Sequence, residues 1–147
     1  MENEYLLDES LGYQLFQASR LMNARLNQNF SDHGYTLTYE QWQLLSRLYE
    51  GEGKTQRELA VLIERDQAGV SRLLGRMERN GYIYRRLEKE NKRTNHIYLT
   101  DWAKQVKREL NDLALATIEE ASEGISEQEK KAGQLFLEKV RNNLGSS

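Results

Sequence analysis

The chain predicts a mainly α-helical fold in which two short helices and a basic two-stranded hairpin are flanked by longer helices at both ends. Three observations point to it. Capping boxes, a Ser or Thr followed three residues later by Glu or Gln, mark helix starts at Thr38 with Gln41, Thr55 with Glu58 and Ser126 with Glu129. Val70, Leu73, Leu74 and Met77 recur at the i, i+3, i+4, i+7 spacing that gathers apolar side chains on one helical face. Between residues 82 and 99, two short runs with aromatic and β-branched residues bracket a polar stretch, which is the pattern of a hairpin.

The first helix is expected over residues 8–30, where Leu7, Leu11, Leu15, Ala18, Met22 and Leu26 form an apolar stripe. Thr38 opens a second at 39–50, and Thr55 a third at 55–63. After a short turn, Asp66 is placed to cap a fourth at 67–80. Strands at 82–86 and 95–99 follow, joined by a polar loop at 87–94. A fifth helix is expected over 101–123, with Ala103, Val106, Leu110, Leu113 and Ile118 on one side, and a sixth over 127–144, with Leu135, Phe136, Val140 and Leu144. Gly51, Gly81, Gly124 and Gly145 lie just past four helix ends, where left-handed backbone is cheapest for glycine. Leu44, Leu45, Leu48, Leu59, Leu62, Ile63, Val70, Leu73, Leu74, Met77 and Ile83 are expected to form the central core. A helix pair followed by a hairpin is a winged helix-turn-helix. The expected organisation is one domain over 1–147, with that lobe at 38–100 and dimerisation helices at 1–37 and 101–147 that pack their stripes across a two-fold axis; the alternative is a monomeric helical bundle around one core.

A length of 147 residues suits one domain. The absence of Cys excludes disulfides, thiolate-metal sites and thiol redox sensing by this chain, and two His, at 33 and 96, do not suggest a metal centre or cofactor. The acidic stretch MENEYLLDESLGY holds no apolar run of signal-peptide type, and no segment approaches the ~18 apolar residues of a membrane span, so a cytoplasmic protein is expected. An enzyme is not expected: there is no Cys nucleophile, no His beside an evident Ser or carboxylate motif, and no Gly-rich phosphate loop after a strand. The net charge of −2 argues against a nucleic-acid partner, but the average hides a segregation. Residues 1–53 carry −5, residues 54–95 carry +5 and residues 96–147 carry −2, so the helix pair and hairpin can attract phosphate locally.

The fourth helix leaves Ala68, Gly69, Ser71, Arg72, Gly75, Arg76 and Arg79 opposite its apolar face. Small, hydroxyl and guanidinium groups on one side suit a major groove about 12 Å wide. Ser71, Arg72 and Arg76 are the strongest candidates for base or phosphate contact. Gly69 and Gly75 each cost about 1 kcal/mol of helix propensity relative to Ala, which close approach to DNA would justify; the alternative is tolerated imperfection on a solvated face. At the hairpin tip, Arg93 is placed to enter a minor groove. His33 reads as a polar helix-end residue and His96 as facing solvent or phosphate.

Residues 38–100 resemble the multiple-antibiotic-resistance regulator (MarR) family, including its SlyA-like members. The motifs are LTYEQWQLLSRLYE leading into TQRELA, then D-x-x-x-V-S-R-L-L-x-R-M-E-x-x-G-Y-I-x-R-R from Asp66, and IYLT at the end of the wing. The resemblance implies a homodimer held by its terminal helices, with two lobes on a pseudo-palindromic operator of double-stranded DNA. It implies a repressor, released by a small aromatic or phenolic effector bound between the dimer helices and the lobe. DNA contacts then fall on Gln67, Ala68, Ser71, Arg72 and Arg76, and in the wing on Arg93; Thr55, Gln56, Lys92 and Asn95 complete the expected interface. Tyr13, Tyr35, Tyr39, Trp42 and Trp102 are the candidate aromatic lining for the effector, Tyr13, Tyr39 and Trp42 foremost; the alternative is that they are ordinary core or interface residues. The chain departs from the family at Asn91, where Asp is usual, and at Ala68-Gly69, where small hydroxyl residues are common. Those departures motivate the alternative of a winged-helix protein-interaction module or anti-repressor with little operator specificity.

Overall fold

The computed structural model describes residues 3–88 and 91–145. Its helices are α1 (Leu11–Asp32), α2 (Tyr39–Glu50), α3 (Gln56–Leu62), α4 (Gln67–Arg79), α5 (Asp101–Gln105), α6 (Lys107–Ala121) and α7 (Glu127–Asn143). Three strands, β1 (Lys54–Thr55), β2 (Ile83–Glu88) and β3 (Asn91–Leu99), form an antiparallel sheet in the order β1-β3-β2. The result is a winged helix-turn-helix between terminal helices.

Local chemistry sets most of the helix starts. All three capping boxes form, at Thr38, Thr55 and Ser126. Asp66 caps α4 by accepting the Gly69 N–H at 3.3 Å. The first helix begins later than residue 8, because Ser10 takes the cap by accepting from the Tyr13 N–H at 3.2 Å and residues Leu7–Glu9 form a separate 3-10 turn. Gly81, Gly124 and Gly145 do end helices with φ near +80°, at 83°, 77° and 82°. Gly51 does not: its backbone is extended at φ 177°.

Two departures have tertiary causes. The strands run past 86 and start before 95, because Ile83, Ile97 and Leu99 anchor the hairpin in the core and the ladder continues outward to Leu87↔Asn95. A register shift between Leu87 and Glu88 then brings Glu88 opposite Asn91. The single helix expected at 101–123 is broken at Val106 (φ −90°, ψ 0°). There the Tyr49 hydroxyl donates to the Ala103 carbonyl at 2.5 Å. A continuous helix would give that carbonyl to the Lys107 N–H, and a side chain entering the ladder is a recognised cause of a kink.

The core draws on every layer. Leu44, Leu45 and Leu48 of α2, Leu59 of α3, and Val70, Leu73, Leu74 and Met77 of α4 are buried with Ile83, Ile97 and Leu99 of the sheet. Leu26 and Phe30 of α1, Ala103 of α5 and Leu110 of α6 close it. Leu62 and Ile63 do not join as fully as expected: α3 ends there after seven residues, leaving Leu62 37% exposed and Ile63 half-buried. The stripe expected over 101–123 turns largely into the protomer's own core, with Ala103 and Leu110 buried and Val106 and Leu113 packed against it, while other apolar side chains of the terminal helices stay uncovered. Leu11, Phe16, Leu21, Leu115, Ile118 and Leu135 are exposed, and α7 has no buried residue.

Aromatic side chains join the lobe to α5 and α6. Tyr35 and Tyr82 both pack on Trp102, with ring centroids 6.2 and 4.9 Å away. The Tyr35 hydroxyl donates to Glu109 at 2.5 Å, whereas the buried Tyr82 hydroxyl has no hydrogen-bond partner among the described residues. Burial, aided at Tyr35 by the Glu109 carboxylate, pushes both phenols up from 10.0 to about 12. Unfolded phenols ionise first, so these two groups favour the fold below about pH 10 and lose that contribution as pH rises through about 12. Urea midpoints measured from neutral pH upward should fall across that window, and Tyr35→Phe or Tyr82→Phe should make the fall shallower.

Candidate nucleic-acid interface

The surface opposite the core of α4 is polar and open. Val70, Leu74 and Met77 are fully buried, while Gln67, Ala68, Arg72, Arg76 and Arg79 are exposed and Ser71 and Gly75 are half-buried. Arg72 and Arg76 are four residues apart, so they project from one face about 6 Å apart along the axis. Arg72, Arg76 and Arg79 make no ion pair with another described residue. Other arginines of the lobe are neutralised locally: Arg65 pairs with Glu40, and Arg85 with Glu78 at 3.7 Å. Cations left unpaired on a rigid helix are the ones available to phosphate or guanine.

The start of α3 supports this surface. Thr55 uses its hydroxyl as the cap, accepting the Glu58 N–H at 3.1 Å and donating to the Glu58 carboxylate at 3.0 Å. Gln56 donates from Nε2 to the Gln67 carbonyl at 3.2 Å, tying the start of α3 to the first turn of α4. The turn between the helices includes Glu64 in left-handed backbone at φ 55°.

The wing is described in part. Asn95 is exposed on β3 opposite Leu87. The side chains of Asn91, Lys92 and Arg93 lie outside the described residues. On the outer wing face Tyr84 stacks on Tyr98 at 5.7 Å, and the Arg86 guanidinium lies 4.0 Å from the Tyr98 ring centroid. His96 differs from expectation. Pairing of β1 with β3 brings Gly53 beside it, and its Nδ1 lies 2.8 Å from the Gly53 carbonyl rather than facing phosphate.

The two glycines of α4 separate physically. A Cβ at Gly69 would stand 2.6 Å from the Asp66 Oδ1 atom that caps the helix, so a side chain there requires the Asp66 carboxylate to shift. A Cβ at Gly75 would meet nothing within 4 Å. Its position beside Arg72 and Arg76 leaves that surface flat.

A cleft of about 670 Å³ opens between α2, the end of α3 and α7, lined by Tyr39, Trp42, Ser46, Arg47, Leu62 and Arg141 among others. Tyr39 and Trp42 therefore come together. Tyr13 does not line this cleft; its hydroxyl accepts from Gln17 Nε2 at 3.0 Å. Tyr35 and Trp102 belong to the cluster with Tyr82. Arg47 and Arg141 escaped the sequence reading, because no local pattern brings α7 to α2. Both are paired, Arg47 with Glu50 at 3.6 Å and Arg141 with Glu64 at 3.1 Å.

The family model described as MarR family matches residues 33–94. Over 140 residues the chain is 31% identical to the HTH-type transcriptional regulator MgrA of Staphylococcus aureus, covering 95% of this chain and 93% of MgrA. The chain belongs to the MarR family. A crystal structure of the transcriptional regulator SlyA is similar at TM-score 0.81 and 27% identity, covering 92% of this chain and 94% of that one. BpsR of Bordetella bronchiseptica, whose DNA binding is regulated by 6-hydroxynicotinic acid, shares the fold at TM-score 0.83 and 20% identity, over 95% of this chain and 98% of that one. As a MarR-family member this protein is a DNA-binding transcriptional regulator and not an enzyme. Among the described residues no helix is long and apolar enough to cross a membrane, and no group of three or more His, Asp or Glu is placed to hold a metal ion.

The glycines of this MarR-family recognition helix give a paired prediction. Gly75→Ala should stabilise the free protein by roughly 0.5–1 kcal/mol, read as a higher denaturation midpoint. Gly69→Ala should stabilise less, because its methyl group requires the Asp66 carboxylate that caps the helix to shift. Equal stabilisation by both substitutions would remove that distinction.

Proposed function

We propose that the protein acts in the cytoplasm as a homodimeric repressor on a pseudo-palindromic operator, and that a small aromatic ligand releases it. The observation that carries the DNA part is the face of α4, where Arg72 and Arg76 stand unpaired among described residues while Val70, Leu74 and Met77 are locked into the core. Two such helices must lie about one helical turn, ~34 Å, apart to read successive major grooves of one duplex. The uncovered apolar side chains of α1, α6 and α7 support the dimer, since large ones such as Leu115, 66% exposed, and Leu135, 58% exposed, call for a partner surface.

The cleft supports the ligand part. Tyr39 and Trp42 offer aromatic surface, and Arg141 offers a cation whose present partner, Glu64, sits in the turn that leads into α4. An aromatic acid whose carboxylate competes with Glu64 for Arg141 would act directly on that turn. Ligand binding and DNA binding would then share one element, which is what a release mechanism requires.

Equilibrium binding to upstream duplexes tests the DNA part. Arg72→Ala and Arg76→Ala should each weaken operator binding by ~1–3 kcal/mol where the guanidinium reads guanine. Arg79→Ala should weaken all duplexes alike and lower the salt slope by about one contact where it meets phosphate. A ratio of operator to random-DNA affinity near unity would instead support the protein-interaction reading. For the ligand part, Arg141→Gln should leave operator affinity close to that of the native chain and remove sensitivity to aromatic acids in the same assay.

A further inference from the structure

Between the lobe and the long helices the chain passes through the break at Val106, and one side chain is built into that break. Tyr49 of α2 holds both of its edges. Its hydroxyl donates to the Ala103 carbonyl of α5 at 2.5 Å, and the Lys107 ammonium, on the first residue of α6, lies 5.3 Å from its ring centroid. The edge of α5 is fixed to the lobe: Ala103 is fully buried, and Lys104 pairs with Glu52 at 3.4 Å. Beyond the break, the Tyr35 hydroxyl holds Glu109 at 2.5 Å. At the break the direction of α6 relative to the lobe is therefore held by phenol contacts in place of a continuous helical ladder, while farther along α6 is held by buried Leu110 and by α1, where Asn29 donates to the Thr117 hydroxyl at 2.7 Å.

The lever is long enough to matter. Fifteen residues of α6 span about 22 Å at 1.5 Å per residue, so a change of about 10° at the break moves its far end by about 4 Å. One base-pair step is about 3.4 Å. The angle also has a neighbour that could change it. Trp42, which lines the cleft, meets Tyr49 at 6.4 Å in an edge-on contact.

We propose that Tyr49 is the positioning residue that sets the angle between the DNA-reading lobe and α6, and through it the separation of the two α4 helices on the operator. The second half of this inference rests on the dimeric operator-binding reading above; the hinge itself does not.

The absence of native Cys permits a direct test. Spin labels at Arg57→Cys and Glu119→Cys, both on exposed positions, report the lobe-to-α6 distance when the labelled chain is diluted into unlabelled chain. Measured well below the unfolding midpoint, the native background should give one narrow distance distribution and Tyr49→Phe a displaced or broader one. In parallel, unlabelled protein is titrated with inverted repeats whose spacer differs by one base pair. The native chain should prefer one spacing, and Tyr49→Phe should erode that preference by up to about tenfold, the effect of one ordinary hydrogen bond. A general loss of stability would lower binding to all spacings without changing their ratio. An unchanged distance distribution overturns the hinge, and a changed distribution with an unchanged spacing preference overturns its positioning role. If the native chain binds no repeat, the operator reading fails while the distance measurement still judges the hinge.

Discussion

Everything that the recognition helix presents depends on the burial of its other side. Val70, Leu74 and Met77 have no exposed surface, and they pack in one core with Leu44, Leu48 and Leu59. Each such side chain contributes about 1.5–3 kcal/mol, against about 0–1 kcal/mol for an exposed ion pair. The orientation of α4 is therefore fixed by apolar packing and not by its charges. Arg72 and Arg76 can be left without an ion-pair partner among the described residues because nothing in the fold relies on them.

That division of labour resolves the paradox of a DNA-binding chain with net charge −2. Where an arginine is needed to join elements, a carboxylate accompanies it, as with Arg65 and Glu40 between the turn and α2, or Arg25 and Glu120 between α1 and α6. On α4 the carboxylates are absent from the exposed face except at Glu78, which Arg85 holds. The local field that a phosphate meets is set by such placement, while distant acidic residues are screened beyond about 8 Å at physiological salt.

What could be read from the sequence was local in origin. Capping boxes at Thr38, Thr55 and Ser126 satisfy donors within three residues, and the stripe of α4 is a periodicity, so both were legible. The exposure of Gln67, Ala68, Arg72 and Arg76 follows from that same periodicity. The break at Val106 was not legible, because its cause is the hydroxyl of Tyr49, remote in sequence. Nor was the cleft, which needs Arg141 of α7 beside Tyr39 and Trp42 of α2. The closeness of Gly69 to the Asp66 carboxylate was likewise visible only once both atoms are placed. β1 is two residues long and carries no pattern at all.

The core also limits how the molecule can transmit a signal. Leu26 and Phe30 from α1, and Ala103 and Leu110 from α5 and α6, are buried in the same cluster as Leu44 and Leu74. Interiors packed at crystal-like density do not deform continuously, so the lobe and the flanking helices cannot slide past one another through this cluster at small cost. Motion between them is least costly where directional bonds, and not a continuous helical ladder, hold the geometry. At Val106, which itself packs against the core, the ladder is interrupted between α5 and α6, with Tyr49 bonded on one side and Tyr35 on the other. A hydrogen bond of ~0.5–1.5 kcal/mol is strong enough to define one angle and weak enough for a bound ligand to shift it. Leu110 of α6 is buried in the same core as α4, so on the hinge proposed above only a small rotation at Val106, one that keeps that contact, re-aims the reader without unfolding it.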